Sequence, residues 1–179
     1  DSSDVETNLQ VFKSEPGDAY FIFSGTIHAI GEGNLLLEIQ QNSDTTYRVS
    51  DWGRVDRDGK PRQLHLKEGI ESIDFTNRTS PRITGVSGQA SHNRKFPVIN
   101  RCPFFKVDDL RLVAEWQDTT VPGGSFHMIS AINAPVEVGH DKRITRLEAG
   151  ETCLIPACFG IYTVKPLADG EVTVLKTTA

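Results

Sequence analysis

His28 is the first residue whose type and setting suggest chemistry. It follows Gly25-Thr26-Ile27, just after the aromatic and apolar run Tyr20-Phe21-Ile22-Phe23. A neutral imidazole is a good ligand for zinc and related divalent metals. One imidazole does not hold a catalytic zinc, which takes about three protein ligands and an open position. On periodicity alone, a lone His in a strand reads as a packed, hydrogen-bonded core residue. Glu38 and Gln40 are the next candidates. In a strand over Leu35–Gln41, Leu35, Leu37 and Ile39 share one face. Leu36, Glu38 and Gln40 share the other. Two polar residues on so apolar a strand suit a pocket wall, and they suit a solvated edge equally. The cysteines are Cys102, Cys153 and Cys158, with no Cys-x-x-Cys pair. That pattern predicts buried, reduced thiols in a cytoplasmic protein.

These side chains need elements to position them. Residues 8–55 predict short strands, broken at Ser24-Gly25 and at the turn cluster Gly31-Glu32-Gly33-Asn34. After the polar turn Asp56–Pro61, apolar residues recur in part at helical spacing and predict one short helix over about 66–74. Residues 76–100 are rich in Ser, Thr, Asn, Gly and Arg and predict a linker or long surface loop. From 103 to 176, apolar runs recur at Phe104–Val107, Leu110–Trp116, Phe126–Ile132, Val136–Val138, Ile144–Leu147, Thr152–Ile155, Ile161–Val164 and Val172–Leu175. Many short, evenly spaced strands predict a sandwich or barrel. Neither a glycine-rich phosphate loop nor a βα repeat is present, which argues against a doubly wound fold.

The composition removes other classes. The net charge is −5 with no basic block, so a nucleic-acid partner is not expected. The longest apolar runs, such as Leu35-Leu36-Leu37, are too short to cross a bilayer, and no membrane partner is expected. The opening Asp-Ser-Ser-Asp lacks the charged and apolar regions of a signal peptide.

One internal repeat stands out. Glu15-Pro16-Gly17-Asp18 precedes Phe21-Ile22-Phe23, and Glu148-Ala149-Gly150-Glu151 precedes Leu154-Ile155-Pro156, at a constant offset of 133 residues. Two related β-units in one chain follow from it. The first copy resembles the second signature of the cupin superfamily through Gly17, Gly25 and His28, with Phe23 where that family prefers Pro. In the second copy Gly150 and Pro156 fit, but Ile161 takes the His position. The resemblance therefore implies no metal motif in the second barrel.

A longer stretch is more specific. Pro16-Gly-Asp-Ala-Tyr-Phe-Ile-Phe-Ser-Gly-Thr-Ile-His28-Ala is followed by Leu35-Leu-Leu-Glu-Ile-Gln-Gln-Asn-Ser-Asp-Thr-Thr-Tyr-Arg48-Val, and then by Asp51, Arg54 and Gly59-Lys-Pro-Arg-Gln-Leu-His65. This run is similar to bacterial type I phosphomannose isomerases, specifically their carboxy-terminal half. Cys102-Pro103-Phe104-Phe105 and the Gly150–Tyr162 segment look like that family's terminal barrel. The resemblance implies a metal-dependent aldose–ketose isomerase that interconverts mannose 6-phosphate and fructose 6-phosphate. It makes His28 a metal ligand, with zinc or another divalent metal as cofactor, and Arg48 the active-site arginine. Standing alone, Arg48 would read as a solvated surface residue. Asp44 and Arg54 match polar positions near the sugar phosphate, and Glu38 and Gln40 line the same pocket or serve structure only. Trp52 reads as core packing rather than a sugar platform.

The implied fold is all-β, with cupin-type jelly-roll barrels. A partial first unit spans 1–55, a short helix and linker 56–100, and a complete second barrel 101–179. Family members are longer, and their amino-terminal half supplies a Gln-x-His pair and a Glu that complete the metal site. Gln63-Leu64-His65 copies the spelling of that pair by coincidence. His92, His127 and His140 fall in loops or in the second barrel and are not expected to substitute. The alternative is a non-catalytic cupin module that binds sugar or a partner. The sequence carries no sign of the oligomeric state.

Overall fold

The computed structural model describes residues 2–83 and 91–179. The chain divides into two compact units, Asp1–Thr84 and Gly85–Ala179.

The second unit is built from two antiparallel sheets. Strands β3 (Arg94–Ile99), β4 (Lys106–Leu112), β6 (His127–Ala131), β9 (Thr152–Ile155) and β11 (Val172–Thr178) form one, in the order β3-β4-β11-β6-β9. Strands β5 (Trp116–Thr119), β7 (Val136–His140), β8 (Arg143–Leu147) and β10 (Ile161–Pro166) form the other, in the order β5-β10-β7-β8. Side chains alternate across each strand, so one face of each sheet is apolar. Leu110, Leu112, Ile129, Val172 and Val174 from the first sheet pack in one buried cluster with Val136, Val138, Tyr162 and Val164 from the second. Among the described residues no ladder joins the two sheets, so they form an open pair rather than a hydrogen-bonded closed barrel. Strands β6 to β11 fall on the apolar runs read from the sequence. The runs Phe104–Val107 and Leu110–Trp116 redistribute into β4 and β5. Strand β3 lies where a linker was expected. It is an edge strand that contains Pro97, and its register with β4 shifts between Pro97 and Ile99. Proline is tolerated there because an edge strand leaves one row of N–H groups unpaired.

The first unit is poorer in regular structure. Helix α1 spans Ser2–Thr7, and helix α2 spans Leu66–Ser72, close to the predicted helix. Strand β1 (Ala19–Tyr20) pairs with β2 (Arg82–Ile83) in a two-residue antiparallel ladder. The predicted strands over Phe21–Phe23, Thr26–Ile30 and Leu35–Gln41 do not form. A strand exists only where a neighbour accepts its ladder bonds, and among the described residues these segments make turns and single contacts instead. Most of their apolar side chains stay exposed, Leu35 completely so, while Phe21, Ile27 and Ile39 are half-buried. Ser50 and Gly69 are the buried residues described in this unit.

The repeat is present as matching turns. In the first copy the Asp18 N–H donates to Glu15 O (3.0 Å), and the Thr26 N–H donates to Phe23 O (3.1 Å). At an offset of 133, the Glu151 N–H donates to Glu148 O (3.0 Å), and the Phe159 N–H to Pro156 O (3.0 Å). Gly17 and Gly150 take φ of 92° and 89°, a left-handed backbone that favours glycine. Two further expectations change. Trp52 is half exposed rather than in a core, at φ 51°. Cys158 is exposed and the other two cysteines are half-buried, although all three are free of disulfides as expected.

Candidate active site

The local fold around His28 is set by Gly25. This glycine sits at φ 79°, and a Cβ there would lie 2.9 Å from Ser72 O at the end of α2. Only a residue without a side chain lets the turn approach so closely. The Asp74 N–H donates to Gly25 O at 3.0 Å and ties the turn down. His28 then lies on the surface, with Nδ1 2.9 Å from Thr26 O. Among the described residues no hydrogen bond or ion pair joins His28 to Arg48. Among the described residues no group of three or more His, Cys, Asp and Glu side chains is placed to hold a metal ion. The described residues therefore do not by themselves fit a zinc site. His28 offers one nitrogen where about three protein ligands are needed.

Arg48 is better held. Its backbone N–H donates to Nδ1 of His65 at 3.2 Å, and the His65 N–H donates back to Arg48 O at 2.7 Å. His65 must be the Nε2–H tautomer to accept that bond. The Arg48 side chain donates from Nη1 to Gln63 O (3.3 Å), and its Nε lies 3.8 Å from Oδ1 of Asp51. Arg62 grips the same carboxylate with both arms of its guanidinium, Nε to Oδ2 at 2.7 Å and Nη2 to Oδ1. Arg54 folds back through its backbone N–H to Asp51 O at 2.9 Å, and its charge also acts on the carboxylate. The Arg62 hydrogen bond, followed by the charges of Arg62, Arg48 and Arg54, outweighs desolvation and holds the Asp51 carboxyl below its ordinary range. Two guanidinium groups meet the Asp51 carboxylate, Arg62 with both arms and Arg48 at ion-pair distance, which leaves positive charge suited to an oxyanion ligand.

The structure thus brings the Arg48 side chain to the Asp51 carboxylate and the Arg54 backbone to the Asp51 carbonyl. Glu38, Gln40 and Asp44 are exposed in irregular chain rather than aligned on a strand face. Gln40 donates to Ser43 O at 3.5 Å. Asp51, Arg62 and His65 carry the geometry around Arg48, and reading single motifs missed that role. Their spacing in sequence gave one signal, a Gly59–His65 segment rich in donors shortly after Arg48. At the copied spelling, His65 braces the Arg48 backbone and the Gln63 carbonyl accepts from the Arg48 side chain.

The second unit holds a separate polar cluster between its sheets. His127 Nδ1 is 2.8 Å from the Tyr162 hydroxyl, and Lys176 Nζ is 2.5 Å from Oδ2 of Asp118. Burial, then the Lys176 charge, pushes the His127 imidazole below its ordinary range. Burial, then the Asp118 charge, pushes the Tyr162 phenol far up. Burial opposes ionisation of Asp118, but the Lys176 ammonium and the Thr119 N–H outweigh it and hold the carboxyl low.

Fold and strand order together define an all-β, cupin-like protein. No family model matches the chain. The chain is similar in sequence to several proteins named mannose-6-phosphate isomerase. It is 33% identical over 161 residues to the mannose-6-phosphate isomerase ManA of Bacillus subtilis, which covers 90% of this chain and 50% of that protein. It is 40% identical over 91 residues to the mannose-6-phosphate isomerase of Streptococcus mutans, 51% of this chain and 28% of the relative. The crystal structure of the mannose 6-phosphate isomerase from Bacillus subtilis aligns with a TM-score of 0.61 at 23% identity, covering 76% of this chain and 41% of that one. That likeness concerns the fold. The chain spans about half the length of its Bacillus relatives. No helix among the described residues is long and apolar enough to cross a membrane.

Proposed function

We propose that this chain is part of a sugar-phosphate isomerase that interconverts mannose 6-phosphate and fructose 6-phosphate in the cytoplasm. The observation that carries the reading is Arg48, held at its backbone by His65 and set at ion-pair distance from Asp51 beside Arg62. Aldose–ketose isomerisation moves a proton between C1 and C2 through an enediolate, and negative charge grows on the sugar oxygens. A guanidinium held ready stabilises that charge without reorganising during the reaction. Arg54 adds positive charge for the phosphate end of the substrate. Asp44, Glu38 and Gln40 are assigned to the substrate side on the motif alone. His28 would supply one ligand to a divalent metal, zinc by family resemblance, which would polarise the sugar oxygens.

A second reading, a non-catalytic module that binds sugar or a partner, is favoured by the lack of a three-ligand group among the described residues. Assaying the product of the complete gene for isomerisation, with and without a chelator, separates the two. Activity that the chelator removes and zinc restores supports the first reading. Inactivity at every metal concentration supports the second.

A further inference from the structure

Resting on the reading of Arg48 as the oxyanion-binding arginine, we propose that Asp51, clamped by Arg62, is a positioning residue for the Arg48 guanidinium. Asp51 stands out in an exposed stretch. Its side chain is only 10% accessible, while Trp52 to Lys60 are exposed. Arg62 occupies both carboxylate oxygens, and Arg48 approaches Oδ1 through Nε at 3.8 Å, an ion-pair distance rather than a hydrogen bond. The Nε side of Arg48 therefore faces Asp51, and Nη1 faces the Gln63 carbonyl. Among the described residues Nη2 makes no hydrogen bond, and the side chain remains 26% accessible. A guanidinium presents its donors in a fixed planar fork. Fixing one side of the plane sets the direction in which the Nη2 side can grip an oxyanion.

Arg62 has a second effect. A carboxylate left alone beside Arg48 would close on it bidentately, neutralising the charge and consuming the fork that an oxyanion needs. With Arg62 engaged on both oxygens, Asp51 orients Arg48 without capturing it. Losing each partner therefore has its own signature. Without the Asp51 charge, Arg48 keeps its charge but loses its direction. Without Arg62, Asp51 captures Arg48, and substrate binding weakens.

The test uses the product of the complete gene. Asp51→Asn is expected to lower kcat about 10- to 100-fold, the scale of a small misplacement of a catalytic group, with KM for mannose 6-phosphate within about threefold. Arg62→Gln is expected to raise KM about tenfold instead. Asp51→Glu recovers part of the lost kcat. In an Arg48→Ala background, Asp51→Asn causes no further loss, because it acts through Arg48. Nitrogen NMR gives a readout that needs no activity: separate Arg48 Nη resonances in the unaltered protein, averaged by rotation in Asp51→Asn. An unchanged kcat in Asp51→Asn, losses that multiply with Arg48→Ala, or unchanged Arg48 resonances would each overturn the proposal. Full activity in Arg48→Ala would instead refute the reading of Arg48 as the oxyanion residue, and the resonances alone would then judge whether Asp51 fixes that guanidinium. Thermal melting of each variant separates these effects from unfolding.

Discussion

Lys176 and Asp118 pair 2.5 Å apart between the sheets of the second unit, with the Lys176 side chain only 8% accessible. Removing one member of a buried pair leaves an uncompensated charge, so Lys176→Met should destabilise the unit by about 3 kcal/mol in urea unfolding. Replacing both residues with apolar ones of similar size should cost much less. The neighbouring His127 faces the Tyr162 hydroxyl and the charges of Lys176, Asp118 and Lys95. Its imidazole gains a proton less readily folded than unfolded. The unfolded chain binds that proton from about pH 6.5 downward, so stability falls below that pH. Asp118 adds a second acid loss. Its folded carboxyl lies below the unfolded value, so its contribution is present above that value and disappears as pH drops through the folded one. His127→Gln should therefore flatten the difference in urea midpoint between pH 7 and pH 5. An undiminished difference would place the acid sensitivity elsewhere. None of this cluster was legible in the sequence. Each residue sits alone on its own strand, and only the stacking of the two sheets brings the four together.

At the level of elements, Gly69 in α2 makes a sharp case. Alanine normally stabilises a helix interior over glycine by up to about 1 kcal/mol. Here a Cβ would meet Cγ1 of Val49 at 2.4 Å, and Val is stiff at χ1. Gly69→Ala should thus destabilise the first unit by about 1–3 kcal/mol, the cost of overpacking, and lower its melting temperature. A higher melting temperature would show that the segment beside the helix yields freely. The strands of the second unit were legible because alternating burial writes itself into the apolar runs, as in β7 and β10. In the first unit the apolar texture of Leu35–Gln41 was just as strong, yet no strand forms. Texture reports a residue's preference, and a strand also needs a partner ladder. The turns at Gly17 and Gly150 were legible for a different reason. Each holds a local hydrogen bond and a left-handed glycine, which short spacing in the sequence can signal, and the Gly150 turn is also tied to Ala131.

At the scale of the whole molecule, the metal motif and the arginine motif lead to different results. His28 was identified from a specific run of sequence, but among the described residues no group of three His, Cys, Asp or Glu side chains includes it, so this chain by itself should bind zinc weakly. Elemental analysis finding one tightly held metal per chain would contradict that. Arg48 was identified from the same run, and the structure adds the His65, Gln63 and Asp51 contacts around it. Family resemblance could name the residue but could not supply these braces: Asp51 lies three positions on, and Gln63 and His65 lie 15 and 17 positions downstream. The most direct test of the proposed function is therefore the turnover of mannose 6-phosphate by the product of the complete gene, unaltered and as Arg48→Ala. A loss of about 100-fold or more in kcat, the scale seen when an oxyanion-stabilising donor is removed, with the melting temperature unchanged, is the expected result. Equal turnover in the two proteins would contradict it.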